Sequence, residues 1–212
     1  ARSGDLAPDH ARGAPDIAAN YNVSPTHAVW VARRDDKNVW LDLVTWGLVA
    51  RWSKAPGEGP RPINARAETV ATNKLFAPLL RRRRCLVPCD GFYEWQKTPA
   101  GKQPWLIRLQ SGEPFFFAGL YEIWREGEAD ELATFTIITG EANALIAPIH
   151  NRMPMIIKPA DYARWLDPAL TDPSALAGML RSYPAEDMTV YRISKAVNSP
   201  RNNRPELLER VD

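Results

Sequence analysis

Three short strings each place one chemically able side chain among apolar neighbours. They are Ile63-Asn-Ala-Arg-Ala-Glu-Thr69, Asp90-Gly-Phe-Tyr-Glu-Trp95 and Pro148-Ile-His-Asn-Arg-Met-Pro154. The able residues are Asn64, Glu94 and His150. A carboxylate between Tyr93 and Trp95 is expected to lose water, which favours its protonated form and equips it to give up a proton near neutral pH. Histidine carries protons in the same range. Each residue also has a plain structural reading: Asn64 as a helix cap, Glu94 as an exposed strand residue, His150 as a hydrogen-bonded loop histidine.

Other reactive candidates are fewer. Cys85 and Cys89 have a C-x3-C spacing that suits half of a zinc site. The three histidines, His10, His27 and His150, supply no spaced pair for the other half, so two buried small side chains is the preferred reading. No G-x-S-x-G elbow, phosphate-binding P-loop or H-E-x-x-H string occurs. Arg81 to Arg84 form a run of four cations near Lys74. The run reads as a solvated helix end or as a patch that follows phosphates. Trp46, Trp52, Phe92, Tyr93 and Trp95 flank it, and aromatics beside cations suit single-stranded nucleic acid, where bases stack on rings.

The composition limits what these residues can serve. With 27 Lys+Arg against 25 Asp+Glu the net charge is +2, so bulk attraction to nucleic acid is excluded and any affinity must come from a local patch. Apolar residues make up 45% and charged residues 25% of 212, an ordinary globular mix in a chain long enough to bury a full core. Two cysteines exclude a disulfide framework. No apolar stretch reaches the ~18 residues of a membrane span, and the first residues lack the apolar segment of a signal peptide. A cytoplasmic monomer is the default expectation, with no cofactor.

The elements that must position the able residues are short, as 19 prolines require. Residues 1–20 read as loop. Strands are expected over 28–33 and 39–46, joined by the Asp35-Asp-Lys-Asn38 turn, with loop over 47–62. The spacing of Val70, Leu75, Phe76, Leu79 and Leu80 predicts a helix over 65–82, with Glu68 in its first turn and arginines in its last. Strands follow at 85–87 and 91–96 around a break at Pro88, then at 105–110, 115–123 and 134–139. Short helices are expected at 141–147, 159–166 and 174–182, and short strands at 155–157 and 189–193. Strands come in runs rather than βαβ units, so the fold expected is α+β, mostly antiparallel, in one domain over residues 1–212.

Taken together and in this order, the three strings resemble the SOS response-associated peptidase (SRAP) family of abasic-site processing proteins. Tyr21-Asn-Val-Ser-Pro-Thr26, Trp46-Gly47, Lys102-Gln-Pro104, Phe117-Ala-Gly-Leu120 and Ile193-Ser-Lys-Ala-Val-Asn198 extend the resemblance over nearly the whole chain. It implies a strongly bent sheet forming a pseudo-barrel with a few flanking helices. It also implies binding of single-stranded DNA and covalent capture of abasic sites by a Cys exposed at the amino terminus when the initiator Met is removed. Asn64 would orient that residue and the opened sugar, Glu94 would serve as acid and base, and His150 would protonate the sugar oxygen. Arg66, Lys74 and Arg152 would hold phosphates, Trp52 and Phe92 would wedge or stack near the lesion, and Thr139 would line the pocket. The sequence departs from the family at its start, which reads Ala1-Arg2-Ser3 where the family has Cys-Gly-Arg-aromatic. A few residues ahead of Ala1 are expected to be missing, the other reading being an inactive member. Beside capture stands a second reading, a non-catalytic module binding single-stranded or modified-base DNA. A cysteine peptidase acting on other proteins is disfavoured, since no nucleophile–base pair is readable.

Overall fold

The computed structural model describes residues 18–212. The loop expected over residues 1–20 therefore lies outside the described residues except for 18–20, which form neither helix nor strand. Strands β1 (Ala28–Arg34) and β2 (Val39–Trp46) form the expected hairpin. Its turn is set by Asp35, whose carboxylate accepts from the N–H groups of Lys37 and Asn38, both at 2.8 Å. Those two bonds favour the ionised form and hold the Asp35 carboxyl below its usual range.

The remaining strands are β3 (Asn64–Arg66), β4 (Arg84–Cys89), β5 (Phe92–Thr98), β6 (Gly101–Leu109), β7 (Phe115–Trp124), β8 (Leu132–Glu141), β9 (Arg152–Pro154), β10 (Ile156–Ile157) and β11 (Met188–Arg192). Pairings β1–β2, β2–β8, β8–β7, β7–β4 and β4–β1 run in a ring, so the larger sheet curls until it meets itself. This is the bent pseudo-barrel that the family resemblance implies. The ring removes most free strand edges and encloses a core that includes Val31, Val44, Leu86, Leu120 and Phe135. Gly119 permits the closest approach in the wall, since a Cβ there would sit 2.6 Å from Cys85 Sγ. A second sheet, β5–β6–β11, is antiparallel throughout. Its Leu106 joins Ile193, Val197 and Leu207 in a smaller apolar cluster under the C-terminal segment.

The sheet is not wholly antiparallel: β8 runs parallel to both β2 and β3. The helix expected over 65–82 is confined to α1 (Phe76–Arg82). Two backbone demands override the apolar spacing. Asn64, Ala65 and Arg66 pair with Ile137, Ile138 and Thr139, and Asn73 Oδ1 accepts from the N–H groups of Leu75 (2.9 Å) and Phe76 (3.3 Å), starting the helix there. The strand containing Cys85 runs through Pro88 rather than breaking at it. Pairing with β1 is limited to Ala32 opposite Leu86, so beyond that point β4 has one neighbour, a setting where proline is tolerated. The helix expected over 141–147 does not form: Glu141 ends β8 and residues 144–149 are turn. The helix expected over 159–166 is present as a 3-10 turn (Pro159–Asp161) running into α2 (Tyr162–Trp165), whereas α3 (Pro173–Ala177), capped by Asp172, is shorter than expected. Among the described residues no helix is long and apolar enough to cross a membrane.

Candidate functional site

A cavity of about 980 Å³ opens between the ring and the smaller sheet, at the large end of the range for ligand pockets. Asn64, Phe92, Glu94, Thr139, His150 and Arg152 all line it. These residues come from β3, β5, β8, β9 and the loop before β9: β3 and β9 pair with β8 in the larger sheet, and β5 faces them from the smaller one. Residues 19–25 form a further part of the wall. Asn22 anchors that segment: it is buried, and its Nδ2 lies 3.0–3.1 Å from the carbonyls of Val197, Ser199 and Asn202. Tyr93 donates its hydroxyl to the Tyr21 carbonyl at 2.6 Å, and burial pushes its phenol up to about 12, so it remains a donor.

Glu94 and His150 approach each other in the cavity wall. Glu94 Oε1 accepts from the Trp95 N–H at 2.9 Å, and Oε2 lies 3.9 Å from His150 Nδ1. That gap exceeds a hydrogen bond and leaves both groups free to meet a substrate. Alternation along β5 turns Tyr93 and Trp95 away from Glu94, toward the smaller cluster. They are therefore not the groups that crowd the carboxylate, as their places in the sequence suggest. His150 Nδ1 lies 3.1 Å from the Arg152 N–H, which can only donate. When Nδ1 accepts from that N–H, the proton of the neutral ring sits on Nε2. A charged ring finds an acceptor for Nδ1–H in the Arg152 carbonyl, at 3.3 Å. The histidine has a partner in either state, which suits a proton carrier.

Arg152 is held more tightly than its expected role suggests. Its Nη1 and Nη2 reach the two Glu68 oxygens at 3.1 and 2.9 Å, Nη2 donates to the Thr139 carbonyl at 2.6 Å, and Nε contacts Thr139 Oγ1 at 3.4 Å. The fork holds the Glu68 carboxyl below its usual range. Glu68 went unrecognised in the sequence because helical spacing assigned it to a helix end. It sits instead in the turn that follows β3, and no local pattern in the sequence signals its pairing with Arg152.

Three of the named residues lie outside the cavity wall. Trp52 is 65% exposed on the loop between β2 and β3. Arg66 is exposed on β3 two residues beyond Asn64, and Lys74 is exposed in the turn before α1. Cys85 and Cys89 do not form a reactive pair: burial pushes both thiols up, toward the inert form.

Known proteins share this fold. A structure from Bacteroides thetaiotaomicron superposes with TM-score 0.78 at 28% identity, covering 88% of this chain and 82% of the other. A phage-related protein from Bordetella bronchiseptica gives 0.67 at 30% identity over 82% of each chain. The abasic site processing protein YoqW of Bacillus subtilis is 44% identical over 90% of this chain and 85% of its own length. The abasic site processing protein YedK of Escherichia coli is 32% identical over 93% and 87%. The profile of the family described as SOS response associated peptidase (SRAP) matches residues 4–200, and the chain belongs to that family.

Proposed function

We propose that this protein processes abasic sites by capturing them covalently in single-stranded DNA. The observation that carries the reading is the meeting of Asn64, Glu94 and His150 in one cavity large enough for an opened sugar and its flanking phosphates. The relatives named as abasic site processing proteins support it.

An abasic sugar opens to an aldehyde when its ring oxygen takes a proton, and His150, in the cavity wall, supplies it. The nucleophile of the proposal is a Cys at the processed amino terminus, ahead of Ala1 and released by removal of the initiator Met. An α-amine is neutral at pH 7 a few hundred times more often than a lysine. Its lone pair attacks the aldehyde carbon, and Glu94 passes a proton to the resulting hydroxyl, which leaves as water. The thiol then adds across the C=N bond, sulfur to carbon and proton to nitrogen, closing a five-membered thiazolidine. No electrons are gained or lost overall. Asn64, at the entrance of β3, orients the amine and the opened sugar. Cys85 and Cys89 cannot replace this nucleophile, because their amines are peptide nitrogens.

The test uses full-length protein whose intact mass first establishes the residue at its amino terminus. Mixed with an abasic single-stranded oligonucleotide, it gives a band that survives denaturing electrophoresis and is absent with intact DNA. Glu94→Gln and His150→Ala slow its appearance about 10²-fold or more. Salt-sensitive binding without a covalent band would replace this reading with that of a non-catalytic DNA-binding module.

A further inference from the structure

The guanidinium of Arg152 has five N–H donors. One faces Thr139 Oγ1, one the Thr139 carbonyl and two the Glu68 carboxylate, which leaves a single Nη1–H uncommitted. A phosphate bound by an arginine fork needs two parallel donors, and the edge that would supply them is the one Glu68 occupies. The carboxylate is thus a stand-in for phosphate, with the same charge sign and the same bidentate geometry. It is also 47% exposed, so it can swing into solvent when displaced.

We propose that Glu68 is a specificity-determining residue that masks Arg152 in the free protein and competes with the phosphates of passing DNA. This rests on the DNA reading above. The competition costs every strand the same non-covalent affinity. An abasic strand is nonetheless retained by its covalent bond, whereas an intact strand has only the weakened contacts and leaves. The mask therefore turns a cation in the cavity wall from a general DNA anchor into one that matters after capture. Glu68 acts through Arg152, and Thr139 keeps the guanidinium in place once the carboxylate has left.

The experiment is a two-by-two set of full-length proteins (native, Glu68→Gln, Arg152→Gln and the double variant) titrated with an undamaged single-stranded oligonucleotide. E68Q binds about 3- to 5-fold more tightly than the native protein, the scale of an exposed bidentate ion pair. In the R152Q background the same change has no effect. In a mixture of abasic strand with excess intact strand, E68Q also forms adduct more slowly than the native protein. Equal affinity of E68Q and native protein overturns the proposal. So does an equal gain in both backgrounds, because that gain would be general charge repulsion rather than release of Arg152. If E68Q fails to fold, Glu68→Asp carries the test: it keeps the charge but shortens the reach, and native-like affinity overturns the proposal. No binding of the native protein to single-stranded DNA at any salt concentration would instead sink the DNA reading itself.

Discussion

Two arginine regions of this protein invite opposite conclusions from sequence and from structure. Arg81 to Arg84 are four adjacent cations, the densest positive charge in the chain, while Arg152 stands alone between Asn151 and Met153. In the fold the dense run turns half inward. Arg84 is 5% exposed and donates to the carbonyls of Leu80 (2.7 Å), Arg81 (2.8 Å), Trp165 (2.6 Å) and Asp167, tying the end of α1 to the end of α2. Arg83 pairs with Glu126 at 2.7 Å and Glu122 at 3.5 Å. Only Arg81 and Arg82 remain exposed at the helix end. The lone Arg152 is the one that reaches the cavity. Charge density along a chain reports how many cations are near one another, whereas a site requires donors aimed at one point from different strands.

The largest effect expected from this contrast is on stability. Arg84→Met leaves four carbonyls at two helix ends without their donor, costing about 3 kcal/mol or more in urea unfolding while DNA binding by the folded fraction stays native. A native-like midpoint would show that the dense run is dispensable, and the contrast would collapse. Next comes Arg152→Gln, which lowers the salt dependence of single-strand binding by about 0.7 in the log–log slope, the worth of one phosphate contact. An unchanged slope would mean that Arg152 never leaves Glu68.

The third effect depends on pH. The carboxyl of Glu68 is held below its usual range in the folded protein by Arg152, so its contribution is present at neutral pH and is lost as pH falls through that lowered value. Glu68 is about half exposed, which limits the contribution to at most about 1 kcal/mol. The stability difference between native protein and Glu68→Gln should shrink on acidification to pH 3, and a difference that grows would refute the pairing. The smallest effect belongs to Arg81→Gln with Arg82→Gln. Both side chains are solvated, and the unfolding free energy should move by no more than about 0.5 kcal/mol.

Much of the fold was legible because its signals are local. The β1–β2 hairpin follows from alternation and from an aspartate whose side chain closes the turn on its own backbone. The strands at Phe115–Trp124 and Leu132–Glu141 follow from β-branched and aromatic runs. Legibility failed where a distant partner decided the outcome. Apolar spacing over 65–82 is helical, yet Asn64–Arg66 became a strand because β8 presents free backbone groups to it. Glu94 was identified as a candidate, but the aromatics flanking it in sequence sit on the other face of β5, since neighbours along a strand point apart.

By itself the sequence determined the chemical inventory: which side chains can carry protons, the near-neutral charge that excludes bulk DNA affinity, and the motif order that marks the family. Tertiary structure alone decided which members of that inventory meet. Asn64, Glu94 and His150 are far apart along the chain, and the packing of the smaller sheet against the larger one makes them neighbours. Arg83 and Arg84 are adjacent to exposed cations, and packing against α2 and β7 withdraws them from solvent. Residue type is fixed when the chain is made, but proximity arises only when backbone pairing and burial choose among the many ways a chain can fold. That is why Glu68, read from spacing as a helix-end charge, emerges in the fold as the partner of Arg152.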